Sequence, residues 1–140
     1  MTHFMTTKVK TIKQKVIIPA SPKEVYDAYV DPKKHSKFTG SKATGKPLVG
    51  GKFTAWDGYI SGKFLELDDG KRVVQEWTST DLPEGTVSKL ELCFNKAPQG
   101  TELVMVQSGV PEEVADETAD GWTEWYWEPL KKYFSEQSKT

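Results

Sequence analysis

Two histidines and one cysteine are the chain's softest candidates for catalysis or metal binding, and His3, His35 and Cys93 stand far apart in sequence. A metal site needs several nitrogen, sulfur or carboxylate ligands gathered by a spaced motif, and none of the three sits in one. His3 falls in a polar leader. His35 stands among Lys33, Lys34 and Lys37 and is expected on the solvated surface. Cys93 is in phase with Lys89 and Glu91, on the polar side of a strand. Nucleophilic catalysis pairs a serine or cysteine with a histidine base, and no strand–turn–helix carries a nucleophile elbow. No catalytic residue, metal or cofactor is assigned.

Carboxylates and amides remain. Across 59–67, Glu66 shares a period-two phase with Ile60, Gly62 and Phe64, which turns it inward. Gln75 shares its phase with Val73 and Trp77, and Gln107 with Leu103 and Met105. Three polar groups facing an aromatic interior could orient a small ligand; the same positions also lie toward strand ends, where side chains reach water. Glu112, Glu113, Asp116, Glu117 and Asp120 crowd the approach to the last helix. Acids there suit the positive end of the helix dipole, and Glu112, Glu113 and Asp116 double as a candidate patch for a basic partner.

The element that must position these groups is the segment 116–134, which packs three tryptophans, two tyrosines and a phenylalanine at helical spacing. At about 100° per residue, Ala115, Ala119, Trp122, Tyr126, Leu130 and Tyr133 form one stripe, with Trp125 and Phe134 on its flanks. That stripe is core-facing. Trp127 falls well off it and is expected either to be a partly exposed aromatic or to meet something outside the domain. Pro129 removes a backbone donor and crowds the carbonyl of Trp125, which predicts a bend.

Upstream, residues 9–18 read as a first strand, followed by Ser21-Pro22-Lys23-Glu24, a helix start with a capping box. A second start at Asp31-Pro32 carries His35 and Phe38 to a stop at Gly40. The glycines from Gly45 to Gly51 lack the spacing and lysine of a phosphate cradle and read as a loop. From Lys52 onward strands alternate with turns at Asp57-Gly58, Asp69-Gly70, 81–85 and Pro98-Gln99-Gly100. The expected fold is α+β: a curved antiparallel sheet of about six or seven strands around a long C-terminal helix, with two short helices after the first strand. A single domain over 8–136 is expected, with flexible termini at 1–7 and 137–140. Phe53, Ile60, Phe64, Glu66, Gln75, Trp77, Leu92, Phe94 and Met105 would face Trp122, Trp125 and Tyr126 across a pocket for a small hydrophobic ligand.

The 19 Lys plus Arg nearly cancel 20 Asp plus Glu, and no basic run is interleaved with aromatics, so nucleic acid is set aside as a partner. No apolar run approaches the ~20 residues of a membrane span. A lone cysteine and a leader without an apolar core predict a cytoplasmic protein.

Read together, these features resemble the START-like, or helix-grip, superfamily. Within it they are similar to the C-terminal domain of the activator of heat-shock protein 90 ATPase homologue family. The residues carrying the resemblance are Val25-Tyr26, Gly50-Gly51-Lys52-Phe53, the run from Asp57 to Phe64, Trp77, the loop Leu82-Pro83-Glu84-Gly85, Gly100-Thr101-Glu102-Leu103, Gly109-Val110-Pro111 and Gly121-Trp122. Eukaryotic members join this domain to a separate one that stimulates the chaperone's ATPase, whereas many prokaryotic relatives consist of this domain alone. The chain resembles the second group. The resemblance therefore implies docking on a heat-shock protein 90 homologue rather than ATPase stimulation, with Glu112, Glu113, Asp116 and Trp127 as the candidate surface. START-like relatives often hold hydrophobic molecules between sheet and long helix, which agrees with the pocket read from the residues.

Overall fold

The structure, a computed structural model, describes residues 8–82 and 85–137. The termini expected to be flexible lie outside the described residues, except Gln137, which ends the last helix. Pro83 and Glu84 of the quoted loop also lie outside them.

β1 (Val9–Ile18) runs into two capped helices. In α1 (Pro22–Val30), Ser21 Oγ accepts from the Glu24 amide at 3.3 Å, while the Glu24 carboxylate accepts from the Ser21 amide at 3.1 Å. This is the reciprocal box that the motif predicts, and it satisfies two otherwise orphaned donors. Asp31 caps α2 (Pro32–Thr39) by accepting from the Lys33 amide at 2.9 Å, and Gly40 closes it at φ 77°. Only the short φ > 0 stop lets the chain turn back there.

Six further strands follow: β2 (Thr44–Gly45), β3 (Lys52–Ala55), β4 (Ile60–Asp68), β5 (Arg72–Ser79), β6 (Ser88–Ala97) and β7 (Gly100–Pro111). Gly45, read as loop, thus belongs to a two-residue edge strand. The seven strands form one antiparallel sheet in the order β1-β7-β6-β5-β4-β3-β2, so the first strand pairs with the last. Gly62 sits where an added Cβ would run into the Glu76 carbonyl oxygen and the Phe53 ring. Its missing side chain lets β4 press against its neighbours.

Two bulges redirect the sheet. Between Phe64, opposite Gln75, and Glu66, opposite Val74, β4 holds one extra residue, Leu65. A bulge of one residue exchanges the faces beyond it. On β7, Ser108 and Gly109 occupy the span where β1 has Thr11 alone, and Gly109 takes φ 77°. Val110 and Pro111 are buried beyond this second bulge.

The C-terminal helical run is α3 (Glu112–Trp122), a π-helical turn (Thr123–Trp127) and α4 (Glu128–Gln137). It starts at Glu112, so the acids expected on its approach form its first turns. The Glu128 amide donates to the Thr123 carbonyl five residues back. Pro129 accounts for the widened turn: it has no amide for the Trp125 carbonyl and its ring crowds that group. The irregularity expected at Pro129 therefore takes the form of a π turn. Ala115, Trp122, Tyr126, Leu130 and Phe134 of this run are buried in the core, and Tyr133 is half-buried.

Candidate functional site

Where the β3–β4 turn and the end of β5 approach α3, the helix does not close on the sheet. A cavity of about 480 Å³ remains, lined by Trp56, Tyr59, Ile60, Trp77, Trp122, Trp125 and Tyr126, with Leu82 and Val114. Ser79, Asp81, Glu117, Thr118 and Gly121 complete the lining. The turn at its mouth is tight: Asp57 and Gly58 both have positive φ, as a type I′ turn requires. Trp56 also has φ 54°, which is rare for a bulky residue. That backbone sets the Trp56 ring 5.6 Å from Trp125 at 73° and 6.3 Å from Tyr126 at 80°. Such edge-to-face pairs direct the ring's positive edge at the partner's π face. Deeper, Trp77 and Trp122 lie 6.0 Å apart.

The polar lining is acidic. The Tyr59 hydroxyl donates to Asp81 Oδ2, and this bond, with partial burial behind it, pushes the Tyr59 phenol up from its ordinary value. Neither Asp81 nor Glu117 makes an ion pair among the described residues. Trp77 Nε1 is buried without a hydrogen-bond partner among the described residues.

The other end of the interface is closed by hydrogen bonds. His35 is 5% exposed rather than solvated, because α2 turns it under the C-terminal run while Lys33, Lys34 and Lys37 face outward or toward the rim. Its Nδ1 lies 2.9 Å from the Tyr29 carbonyl and its Nε2 3.0 Å from the Tyr126 hydroxyl. Burial lowers the His35 pKa, with the Tyr29 carbonyl opposing. The neutral ring must donate from Nδ1, since a carbonyl only accepts, and so receives the Tyr126 proton at Nε2. Burial likewise holds the Tyr29 and Tyr126 phenols well above their ordinary value. The Tyr29 hydroxyl donates to Gln75 Oε1 at 2.6 Å. Phe53, Phe64 and Gln75 line only a small crevice here, beside Tyr29 and His35.

Two more tryptophan bonds tie the aromatic helix to the sheet, and a third braces Gln107 within the sheet. Trp122 Nε1 donates to Gln107 Oε1 at 2.7 Å, Gln107 Nε2 to Ser88 Oγ at 2.9 Å, and Trp127 Nε1 to Gln14 Oε1 at 2.6 Å. Gln75 and Gln107 thus point inward, yet as anchors for Tyr29 and Trp122.

Of the residues expected around a pocket, Ile60, Trp77, Trp122, Trp125 and Tyr126 are brought together. Leu92, Phe94 and Met105 are buried core outside the cavity. Glu66 is turned out by the Leu65 bulge and pairs with Arg72 at 3.0 Å. Trp127 is 3% exposed and stacks on Trp122 at 5.2 Å, whereas Trp125 is 53% exposed. The i→i+5 turn advances each residue by less than the α-helical 100°, so Tyr126 and Trp127 straddle the inward direction and Trp125 swings out. Glu112, Glu113 and Asp116 are exposed, with Glu112 3.8 Å from Lys10. The cavity residues that sequence reasoning missed are Trp56, Tyr59, Asp81 and Glu117. The aromatics flanking the Asp57-Gly58 turn were the available signal. Among the described residues no three His, Cys, Asp or Glu side chains converge as a metal set, and no helix is long and apolar enough to cross a membrane.

The chain is similar to the human "Activator of 90 kDa heat shock protein ATPase homolog 1", with 34% identity over 114 residues, covering 81% of this chain and 34% of that protein. It is 32% identical over 131 residues to the Dictyostelium discoideum "Activator of 90 kDa heat shock protein ATPase homolog", covering 93% of this chain and 34% of that one. The chain thus spans about a third of the length of these curated relatives. In fold it matches a crystal structure described as an Hsp90 activator from Plasmodium falciparum, with TM-score 0.79 and 22% identity over 91% of this chain and 96% of that one. Residues 19–135 match the family described as "Activator of Hsp90 ATPase homolog 1-like protein", and the chain belongs to that family.

Proposed function

We propose that residues 8–136 form one domain that docks on an Hsp90 homologue in the cytoplasm. Family membership carries this reading, and the exposed acids of α3 supply a surface for it. Glu113, Asp116, Glu117 and Asp120 all face solvent, and Trp125, rather than the buried Trp127, offers a large exposed aromatic beyond them. Aromatic anchors with a charged surround suit a partner of basic surface. Docking is proposed, and not ATPase stimulation, because the match covers about a third of each activator. No catalytic role is assigned to any residue.

An amide-shift titration of isotope-labelled protein with the Hsp90 homologue of the same organism tests this. Shifts should cluster on α3 and on the Trp125 indole, and Glu113→Lys with Asp116→Lys should weaken binding most at low salt. Shifts confined to the opposite side, or none at high chaperone concentration, overturn it. A second reading rests on the cavity: about 480 Å³ lined largely by aromatic rings suits a small apolar molecule. Uptake of six-carbon probes, read from the tryptophan indole resonances, tests that reading separately.

A further inference from the structure

We propose that the cavity selects organic cations, small ammonium compounds carrying an apolar body, over neutral or anionic molecules of the same size. The inference rests on the second reading above, that the cavity takes up a small molecule, and adds its charge.

Six of the lining residues present aromatic rings: Trp56, Tyr59, Trp77, Trp122, Trp125 and Tyr126. An aromatic face carries negative quadrupolar charge, tryptophan most strongly, and attracts a cation that has shed part of its water. Ordinary apolar lining from leucine or valine would accept a hydrocarbon equally well and have no preference of sign. Here the aliphatic share is small, with Ile60, Leu82 and Val114.

Charge at the cavity points the same way. Asp81 and Glu117 are in the lining, and among the described residues no lysine, arginine or histidine is. Asp81 is held by the Tyr59 hydroxyl, a neutral donor that leaves the carboxylate its charge. Elsewhere several acids are paired, Glu66 and Glu91 with Arg72, Asp27 and Asp69 with Lys23, Glu76 with Lys63, and Glu102 with Lys15, whereas Asp81 and Glu117, like Glu113, Asp116 and Asp120 of α3, make no ion pair among the described residues. Two carboxylates without a cationic counterpart beside low-dielectric walls focus a negative potential into the opening. The same arrangement repels a fatty acid or any other carboxylate, which is specificity by exclusion. The half-exposed Trp125 ring against Trp56 gives a quaternary ammonium a π surface next to these acids.

The experiment compares hexyltrimethylammonium, hexanol and hexanoate at one ionic strength, by calorimetry and by the indole resonances of Trp56, Trp77, Trp122 and Trp125. The cation should bind about tenfold more tightly than hexanol, and hexanoate more weakly than both. In the Asp81→Asn, Glu117→Gln double variant the cation's advantage over hexanol should shrink and the hexanol affinity stay unchanged, which also reports an intact fold. Equal binding of all three probes, or tightest binding of hexanoate, overturns the inference and leaves the cavity reading standing. If none of the three binds, both fall.

Discussion

At one end of the interface between the C-terminal helical run and the sheet, Tyr29, His35, Gln75 and Tyr126 close the space with hydrogen bonds of 2.6–3.0 Å. At the other end, Trp56, Tyr59, Trp77 and Trp125 leave it open, although the aromatic content is higher there. Tyr126 belongs to both, its hydroxyl bonded to His35 and its side chain in the cavity lining. The difference lies in what lies between the rings. Polar atoms that must be paired when buried draw the closed end together. At the open end the carboxylates of Asp81 and Glu117 stand among the rings of the lining instead. Aromatic surface by itself therefore does not fill a space.

The sharpest way to break this contrast is to exchange the roles of two tryptophans two residues apart. Trp127→Ala removes a buried ring stacked on Trp122 and its bond to Gln14, and should cost about 3–5 kcal/mol in urea unfolding. Trp125→Ala should cost less than about 1 kcal/mol. Equal losses would show that the π turn does not divide inside from outside. A smaller effect is expected from Gln107→Leu, which leaves Trp122 Nε1 without its acceptor, for about 1–3 kcal/mol. If the loss is negligible, the amide chain is not what anchors the helix.

The smallest effect should come from pH. Burial lowers the His35 pKa in the folded protein, so the unfolded chain binds a proton first as pH falls. Stability contributed by the neutral ring is complete above the unfolded value, about 6.5, and is lost below it. The limiting slope is about 1.4 kcal/mol per pH unit. A His35→Gln variant should lose that slope as pH falls below about 6.5. A slope unchanged by the substitution would mean that His35 is accessible to protons in the fold.

Local chemistry was legible wherever the cause lies within a few residues. The Ser21–Glu24 box, the Asp31 cap, the Gly40 stop and the Asp57-Gly58 turn each depend on neighbours in sequence, and each appears where its residues predict. The family resemblance also followed from residues in order, and the match over 19–135 agrees with it. Phase arguments held over unbroken stretches: Gln75 and Gln107 do face inward. They failed one residue past an insertion, since the Leu65 bulge sent Glu66 outward and the π turn exchanged Trp125 with Trp127.

The sequence alone thus determined the order of elements, their caps and turns, and the α+β helix-grip architecture, because hydrogen-bond geometry and hydrophobic periodicity act over short distances. Tertiary structure decided the burial of His35, the bulge in β4, the direction of each tryptophan and the place of the cavity. Each of these depends on what another part of the chain brings alongside: Tyr126 for His35, β5 for Glu66, Gln14 for Trp127, and the Trp56 turn for Trp125. A single extra residue in a strand or a helical turn costs little locally, and only the packing of the whole domain selects where it goes.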